Sequence, residues 1–310
     1  MRIFFIVIIS LVILYLLFTY FFFILISRKL SKKILPMSKF VEESVRPYKD
    51  IVLVGNDWIK EKYKNKEIKD VYIKSFDNLK LHGIFIENKK SKGIIIEAHG
   101  YRSTAENDLF ASCHEYFKMG YSLLLIDQRT SNKSEGKYIT FGIKESKNII
   151  NWIKFVNSKY PKKKVVLAGI SMGASSVLMS LKYITKEMNI KCVLVDSGYI
   201  SPYDEVLYCF KHYFHINGKL FIGMINIWCK LFAKFSLKEE NTIECISKSK
   251  LPILFVHGSC DDFVPVENTK TNYEKYNGSK EMVLFEKATH GIGYLTNPKK
   301  YLEYVKKYIS

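Results

Sequence analysis

Six short apolar runs set the terms on which this chain can fold: GIIIEA (93–98), SLLLID (122–127), KVVLAG (164–169), KCVLVD (191–196), PILFVHG (252–258) and MVLFE (282–286). Each is apolar continuously rather than at alternate positions, so each needs cover on both faces, and each is too short for a buried helix. Between them lie segments of helical length and polarity, 105–119, 143–158, 172–186, 267–276 and 298–309. Strands alternating with helices predict an α/β fold with a mostly parallel central sheet and helices on both faces. Ahead of the series, VYIKSF (71–76) and KLHGIFIE (80–87), joined by DNL, alternate with a period of two and predict a hairpin. One domain over 67–310 accommodates all of these elements.

Two stretches stand outside that rhythm. About fifty residues separate the run ending at Asp196 from the one beginning near Leu251, far more than a strand–helix–strand connection needs. This interval is rich in aromatics, and its apolar run at 220–229 is too short to cross a bilayer, so a helical lid insertion over about 198–248 is expected. The other stretch is the start of the chain. Residues 3–26 carry no charge, and at about 1.5 Å per residue they reach roughly 36 Å, the length of a transmembrane helix. A cleavable signal peptide has a shorter apolar region and a small-residue cleavage site, whereas this run continues into ISRKLSKK. The expectation is an uncleaved anchor over 1–27 and a connector over 28–66. Arg28, Lys29, Lys32, Lys33 and Lys39 follow the span and only Arg2 precedes it, which by the positive-inside rule puts the large domain in the cytoplasm of a single-pass membrane protein.

The chemistry is concentrated where strands end. In VVLAGISMGASS, the run KVVLAG turns into a helix at Ser171, with Gly169 and Gly173 two residues to either side. A serine on such a strained strand-to-helix turn is held out as a nucleophile, and side chains at the flanking positions would block the turn. The N–H of Met172, at the start of the helix, is placed to donate to an oxyanion. VHGSCDDFVP puts Asp261 and Asp262 after a later strand, and KATHGIG puts His290 after the last one. Serine, acid and histidine then follow in the chain order of nucleophile-elbow hydrolases, and in an open parallel sheet all three come from carboxyl ends of strands and converge on one edge. Asp196, at another strand end, is an alternative acid. EAHGYRST supplies the second oxyanion donor: Gly100 permits close approach, the Tyr101 N–H pairs with that of Met172, and His99 orients the loop.

These residues, with DQR (127–129), SEGKYITFG (134–142) and PILFVHG, make the chain from about 71 to 309 resemble the α/β-hydrolase family, and within it the membrane-anchored bacterial serine aminopeptidase and lysophospholipase-like branch. The resemblance implies a catalytic triad of Ser171, His290 and Asp261, the spacing from HG to VP in the family selecting Asp261 over Asp262. Where the family continues after DQR with a Gly-His pair, this chain has Thr130, Ser131 and Asn132. The function expected is a serine hydrolase that cleaves a carboxylic ester, lipid-like in character, through an acyl-enzyme. The alternatives are a peptidase acting on small peptides and a non-catalytic membrane-tethered binding protein. Phe210, Tyr213, Phe214, Phe221 and Trp228 of the lid are expected to line an acyl pocket.

Composition removes other classes. The formal net charge is +18, but the lysines are scattered with acids among them rather than gathered on one face, so an anionic membrane surface is the expected partner and nucleic acid is not. Six cysteines show no CxxC pair, and His212 and His215 have no carboxylate cluster beside them, so neither a metal nor a cofactor is expected.

Overall fold

The computed structural model describes residues 1–29 and 42–310. Lys32, Lys33, Lys39 and the rest of the expected connector over 30–41 lie outside the described residues. The chain begins with α1 (Arg2–Ser27) and, after the undescribed stretch, enters α2 (Lys49–Lys64) and the strands β1 (Ile68–Lys74), β2 (Lys80–Ile86) and β3 (Gly93–Ala98). There follow α3 (Phe110–Lys118), β4 (Tyr121–Ile126), α4 (Ile143–Lys159), β5 (Lys164–Ile170), α5 (Met172–Ser180) and β6 (Ile190–Asp196). The long interval contains α6 (Pro202–Tyr213) and α7 (Ile222–Trp228), the latter continuing as a π-turn over Cys229–Ala233. The chain closes with β7 (Ile253–Gly258), α8 (Glu267–Lys275), β8 (Lys280–Phe285) and α9 (Pro298–Ile309).

All eight strands form one sheet in the order β1-β2-β4-β3-β5-β6-β7-β8. The hairpin β1–β2 joins antiparallel to β4, and every pairing from β4 to β8 is parallel. Successive residues of each inner strand serve opposite faces: Leu123 and Leu125 of β4 lie in one core with Val166 and Ala168 of β5, whereas Leu124, Ile126, Val165 and Leu167 lie in the other. The first core is closed by α2, α3 and α9, the second by α4 and α5 with Tyr276 after α8. This two-sided cover is the reason that the runs are continuously apolar.

The connector expected over 28–66 contains more than a spacer. Ile59 of α2 is buried in the first core, and a Cβ on Gly55 would stand 2.1 Å from the carbonyl oxygen of Phe110, so α2 and α3 touch backbone to backbone. In α1 the two halves differ. Residues such as Ile3, Leu11 and Leu14 are exposed, whereas Phe22, Phe23 and Leu25 join a third apolar cluster made with the lid. Trp228 Nε1 donates to Thr19 Oγ1 at 3.1 Å, and the Ile139 N–H donates to the Ser27 carbonyl at 2.6 Å. By length and composition α1 is the one described helix able to cross a membrane.

Replacing Gly55 by alanine tests whether α2 belongs to the domain. The methyl group has no rotamer by which to escape, and overpacking of this kind destabilises by about 1–3 kcal/mol. The melting temperature of the purified chain should fall by several degrees, on the order of 2–4 °C per kcal/mol for a domain of this size. A Gly55→Ala chain as stable as the parent would show that α2 does not rest on the core.

Candidate active site

Ser171 sits between β5 and α5 with φ 56° and ψ −125°, a region that a side chain other than glycine's seldom occupies. Its flanking glycines are explained by their neighbours rather than by the serine itself. A Cβ on Gly169 would meet the Gly173 carbonyl carbon and oxygen at 2.6 Å, and a Cβ on Gly173 would stand 2.1 Å from the Ala98 carbonyl oxygen at the end of β3. The first turn of α5 thus lies directly on two strand ends. Ser175, also in that turn, exchanges hydrogen bonds with Tyr199, its Oγ donating to the carbonyl at 2.9 Å and accepting from the N–H at 2.8 Å.

Ser171, His290 and Asp261 meet. His290 Nε2 is 2.8 Å from Ser171 Oγ, and His290 Nδ1 is 2.7 Å from Asp261 Oδ2. Asp261 is fully occupied: Oδ1 accepts the N–H groups of Phe263 and Val264, both at 2.9 Å, and Oδ2 is also 3.1 Å from His257 Nε2. Gly258 makes the approach of the histidine loop possible, because a Cβ there would lie 2.4 Å from the carbonyl oxygens of Ala288 and Thr289. The other two acids considered stand elsewhere. Asp262 offers its backbone carbonyl to the hydroxyls of Tyr208, at 2.9 Å, and Tyr213, at 3.4 Å, and Asp196 accepts from Ser197 Oγ at 2.9 Å.

Electrostatics separate these carboxyls. Burial works against an ionised Asp261, but the charges and hydrogen bonds of His290 and His257 outweigh it and hold the carboxyl well below the ordinary range. For His290, burial lowers the imidazole pKa, and the Asp261 carboxylate, helped by Glu205 and Asp196, reverses that and leaves it raised. Asp196, fully buried, is instead pushed up, chiefly by desolvation.

The HGY loop lies over the serine. A Cβ on Gly100 would stand 3.2 Å from Ser171 Cβ, and the Gly100 N–H donates to Asp108 Oδ2 at 2.8 Å. His99 faces away from the serine and orients the loop: Nδ1 is 2.8 Å from the Gly100 carbonyl and Nε2 accepts the Gln128 N–H at 3.0 Å. Met172 opens α5, so its N–H has no acceptor within the helix. After DQR, Thr130 and Asn132 adopt left-handed φ values of 69° and 44°, and Asn132 Nδ2 donates to Asp127 Oδ2 at 2.9 Å. That bond, and the Ser131 hydroxyl donating to the Ser103 carbonyl, fasten the loop that departs from the family pattern.

Beside Ser171 opens a pocket of about 640 Å³, counted with its mouth, walled largely by apolar and aromatic side chains. Phe210 and Phe214 line it as expected, with Tyr101, Phe141, Tyr199, Val206 and Phe263. The other three lid aromatics are placed differently. Phe221 packs on Phe18 of α1 with ring centroids 4.9 Å apart, Trp228 packs on Tyr20 at 5.6 Å, and Tyr213 bonds Asp262. Two residues of α1, Leu25 and Ile26, complete the wall. The one carboxyl in it, Glu205, touches only Cys209 Sγ at 3.6 Å, and burial pushes its pKa up to about 8. Among the described residues no group of three or more metal-ligating side chains occurs.

Residues 86–223 match the family described as X-Pro dipeptidyl-peptidase (S15 family). The chain is 22% identical over 256 residues to the uncharacterized protein YqkD of Bacillus subtilis (strain 168), covering 82% of this chain and 83% of that one. Among solved structures, the esterase Pf2001 of Pyrococcus furiosus is 27% identical with a TM-score of 0.63, over 78% of this chain and 92% of that one. The esterase EaEST of Exiguobacterium antarcticum has the same fold at 18% identity and a TM-score of 0.58, over 78% of this chain and 99% of that one. The chain is a serine hydrolase with the α/β-hydrolase fold.

Several residues that shape this hydrolase site escaped the reading of the sequence. His257 was seen only as part of a strand motif, and nothing in the sequence ties Asp108 to Gly100. Glu205 carried a usable signal, since it shares a helical face with the buried Pro202, Val206 and Phe210. Leu25 and Ile26 were assigned to the anchor alone.

Gly173→Ala should disable the hydrolase without unfolding it. The added methyl group must push α5 off the end of β3 and carry Ser171 and Met172 with it, and displacements of about 1 Å at a reacting centre lower rates on the order of 100-fold. Ester turnover together with circular dichroism reads this directly, and a Gly173→Ala enzyme of near-parental rate would contradict the close approach.

Proposed function

We propose that this hydrolase cleaves carboxylic esters by way of an acyl-enzyme, with Ser171 as nucleophile, His290 as general base and acid, and Asp261 as the acid that orients it. The observation that carries the reading is the single imidazole standing within hydrogen-bond reach of both Ser171 Oγ and Asp261 Oδ2. His290 Nε2 takes the Ser171 proton as Oγ bonds to the carbonyl carbon, and the resulting oxyanion accepts the N–H groups of Tyr101 and Met172. Each such donor lowers a barrier of this kind by about 2.7–4 kcal/mol. When the C–O bond to the leaving alcohol breaks, the proton passes from His290 to that oxygen. Water, deprotonated by the same imidazole, then releases the acid and restores Ser171.

An ester is favoured over a small peptide by the chemistry of the pocket. A peptide's amino terminus calls for an ionised carboxylate, and burial of Glu205, the carboxyl in the wall, disfavours that charge by raising its pKa to about 8. α1 supports attachment to a membrane as a single-pass anchor, and the excess of Arg and Lys after it favours a cytoplasmic domain.

Labelling with a fluorophosphonate probe tests the nucleophile. The parent should label at Ser171 and the Ser171→Ala variant should not, and equal labelling of the two would refute the assignment. A matched series of esters and amides then ranks the substrates, with esters expected to lead.

The pH profile tests the base and the pocket together. Turnover of a neutral apolar ester should rise as His290 loses its proton, at a pH above that of an ordinary histidine because Asp261 favours the imidazolium. It should fall again near pH 8, as Glu205 ionises and sets a charge in the pocket. Glu205→Gln should abolish the falling limb and leave the rising one. A falling limb that survives the substitution would exclude Glu205 as its cause.

A further inference from the structure

The length of α1 and its contacts with the lid place a joint constraint on the domain. About 20 helical residues cross a hydrocarbon core roughly 30 Å thick, so a span counted from Ile3 leaves the core near Phe22. Protein contacts on α1 begin well before that point. Tyr15 Oη donates to the Leu220 carbonyl at 2.9 Å, Phe18 packs at a tilt on Phe221, and the Tyr20 ring centroid lies 5.5 Å from that of Phe232. The lid segment from Leu220 to Phe232 is therefore docked against helix that lies inside the hydrocarbon. Its outer surface suits that depth: Leu220, Ile227, Leu231 and Phe232 are 67%, 45%, 53% and 47% exposed. Lys219, Lys230 and Lys234, all exposed, lie in the same segment, where anionic headgroups favour basic side chains.

The same helix reaches the pocket. Leu25 and Ile26 line it, and Phe22 packs on Phe210 and Phe214 with ring centroids 4.9 and 5.5 Å apart, so apolar groups run without a break from α1 to Ser171. Tyr101, proposed to supply an oxyanion donor, gives its hydroxyl to the Ile26 carbonyl at 2.6 Å, and Arg102 donates to the carbonyls of Leu25 and Arg28.

We infer that the lid is immersed in the membrane surface beside α1 and that the substrate is the fatty acyl ester of a membrane lipid, whose chain passes from the bilayer into the pocket along the end of α1. The inference rests on the ester-hydrolase reading for its chemistry and on the lid contacts for its geometry. An acyl chain on this route exchanges one apolar surrounding for another and is never exposed to water.

The full chain in vesicles of phosphatidylcholine and phosphatidylglycerol tests it twice. With lipids brominated on the acyl chain close to the glycerol, Trp228 fluorescence should be quenched, and the quenched component should vanish in Trp228→Phe; the remaining tryptophans are Trp58 in α2 and Trp152, buried on α4. In the same vesicles, turnover of a long-chain fluorogenic ester dissolved in the bilayer is divided by that of a short-chain ester in water. Ile227→Asp with Leu231→Asp should lower this ratio by about tenfold or more, since charge on the apolar face opposes insertion. The short-chain rate in the same sample reports folding. An unquenched Trp228, or an unchanged ratio, overturns the inference. Quenching of Trp228 in a protein whose Ser171 does not label would leave the immersed lid standing and remove the hydrolytic role assigned to Ser171.

Discussion

The contact between the first turn of α5 and the end of β3 governs the rest of the site. With no side chain at Gly173, the helix backbone comes to rest on the Ala98 carbonyl, and the chain between β5 and α5 has room only for the tight turn that puts Ser171 at φ 56°. Strain of this order, about 1–3 kcal/mol for one residue, persists only where the surroundings leave no alternative. Here they are strand ends on one side and the Ser175–Tyr199 pair on the other. The same turn sets Ser171 and the free N–H of Met172 side by side at the start of α5, so their placement has a single structural cause. Gly258 and Gly100 repeat the device, letting the histidine loop and the HGY loop close over the same edge of the sheet.

Charge is handled in opposite ways within a few residues of that edge. Asp261 is removed from solvent yet surrounded by donors, two backbone N–H groups and two imidazoles, so it remains ionised. Asp196 and Glu205 are as deeply buried but lack donors of that number, and desolvation raises the pKa of both. Asp261 thereby sets a negative charge beside His290, which favours the imidazolium form. Tyr199, in the same wall, has a buried hydroxyl without a hydrogen-bond partner.

The sheet was legible because its signal is local. Each inner strand is covered on both faces, and the requirement for continuous apolar residues is written in the strand itself, so the limits of GIIIEA and of the helix Pro298–Ile309 coincide with those read from the sequence. The meeting of Ser171, Asp261 and His290 was legible for a related reason, since strand ends in a parallel sheet lie along one edge. What could not be read are contacts between elements whose own sequences already had a sufficient explanation. A charge-free helix at the start of a chain accounts for itself as an anchor, and nothing in Leu25 or Ile26 announces a pocket. α2, amphipathic and lysine-rich, passed for a connector because the fit of Gly55 on Phe110 depends on two segments more than fifty residues apart. Of five lid aromatics, two reached the pocket; the periodicity of α6 and α7 gives each helix an apolar face but does not say whether that face meets the active site or α1.

The contacts of α1 make it part of the domain as well as a helix long and apolar enough to cross a membrane. A helix joined to its domain through a flexible connector restricts where an enzyme diffuses and leaves its active site unchanged. Here the last turn of the helix accepts hydrogen bonds from Tyr101, Arg102 and Ile139, and its side chains close the pocket. Those bonds fall on carbonyls that an α-helix leaves unsatisfied at its carboxyl end, groups that are costly to bury without a donor. The domain provides the donors, and in doing so it ties the HGY loop, which lies on Ser171, to the end of the helix. Withdrawing the helix would strip one wall from the pocket and release the loop that lies on Ser171.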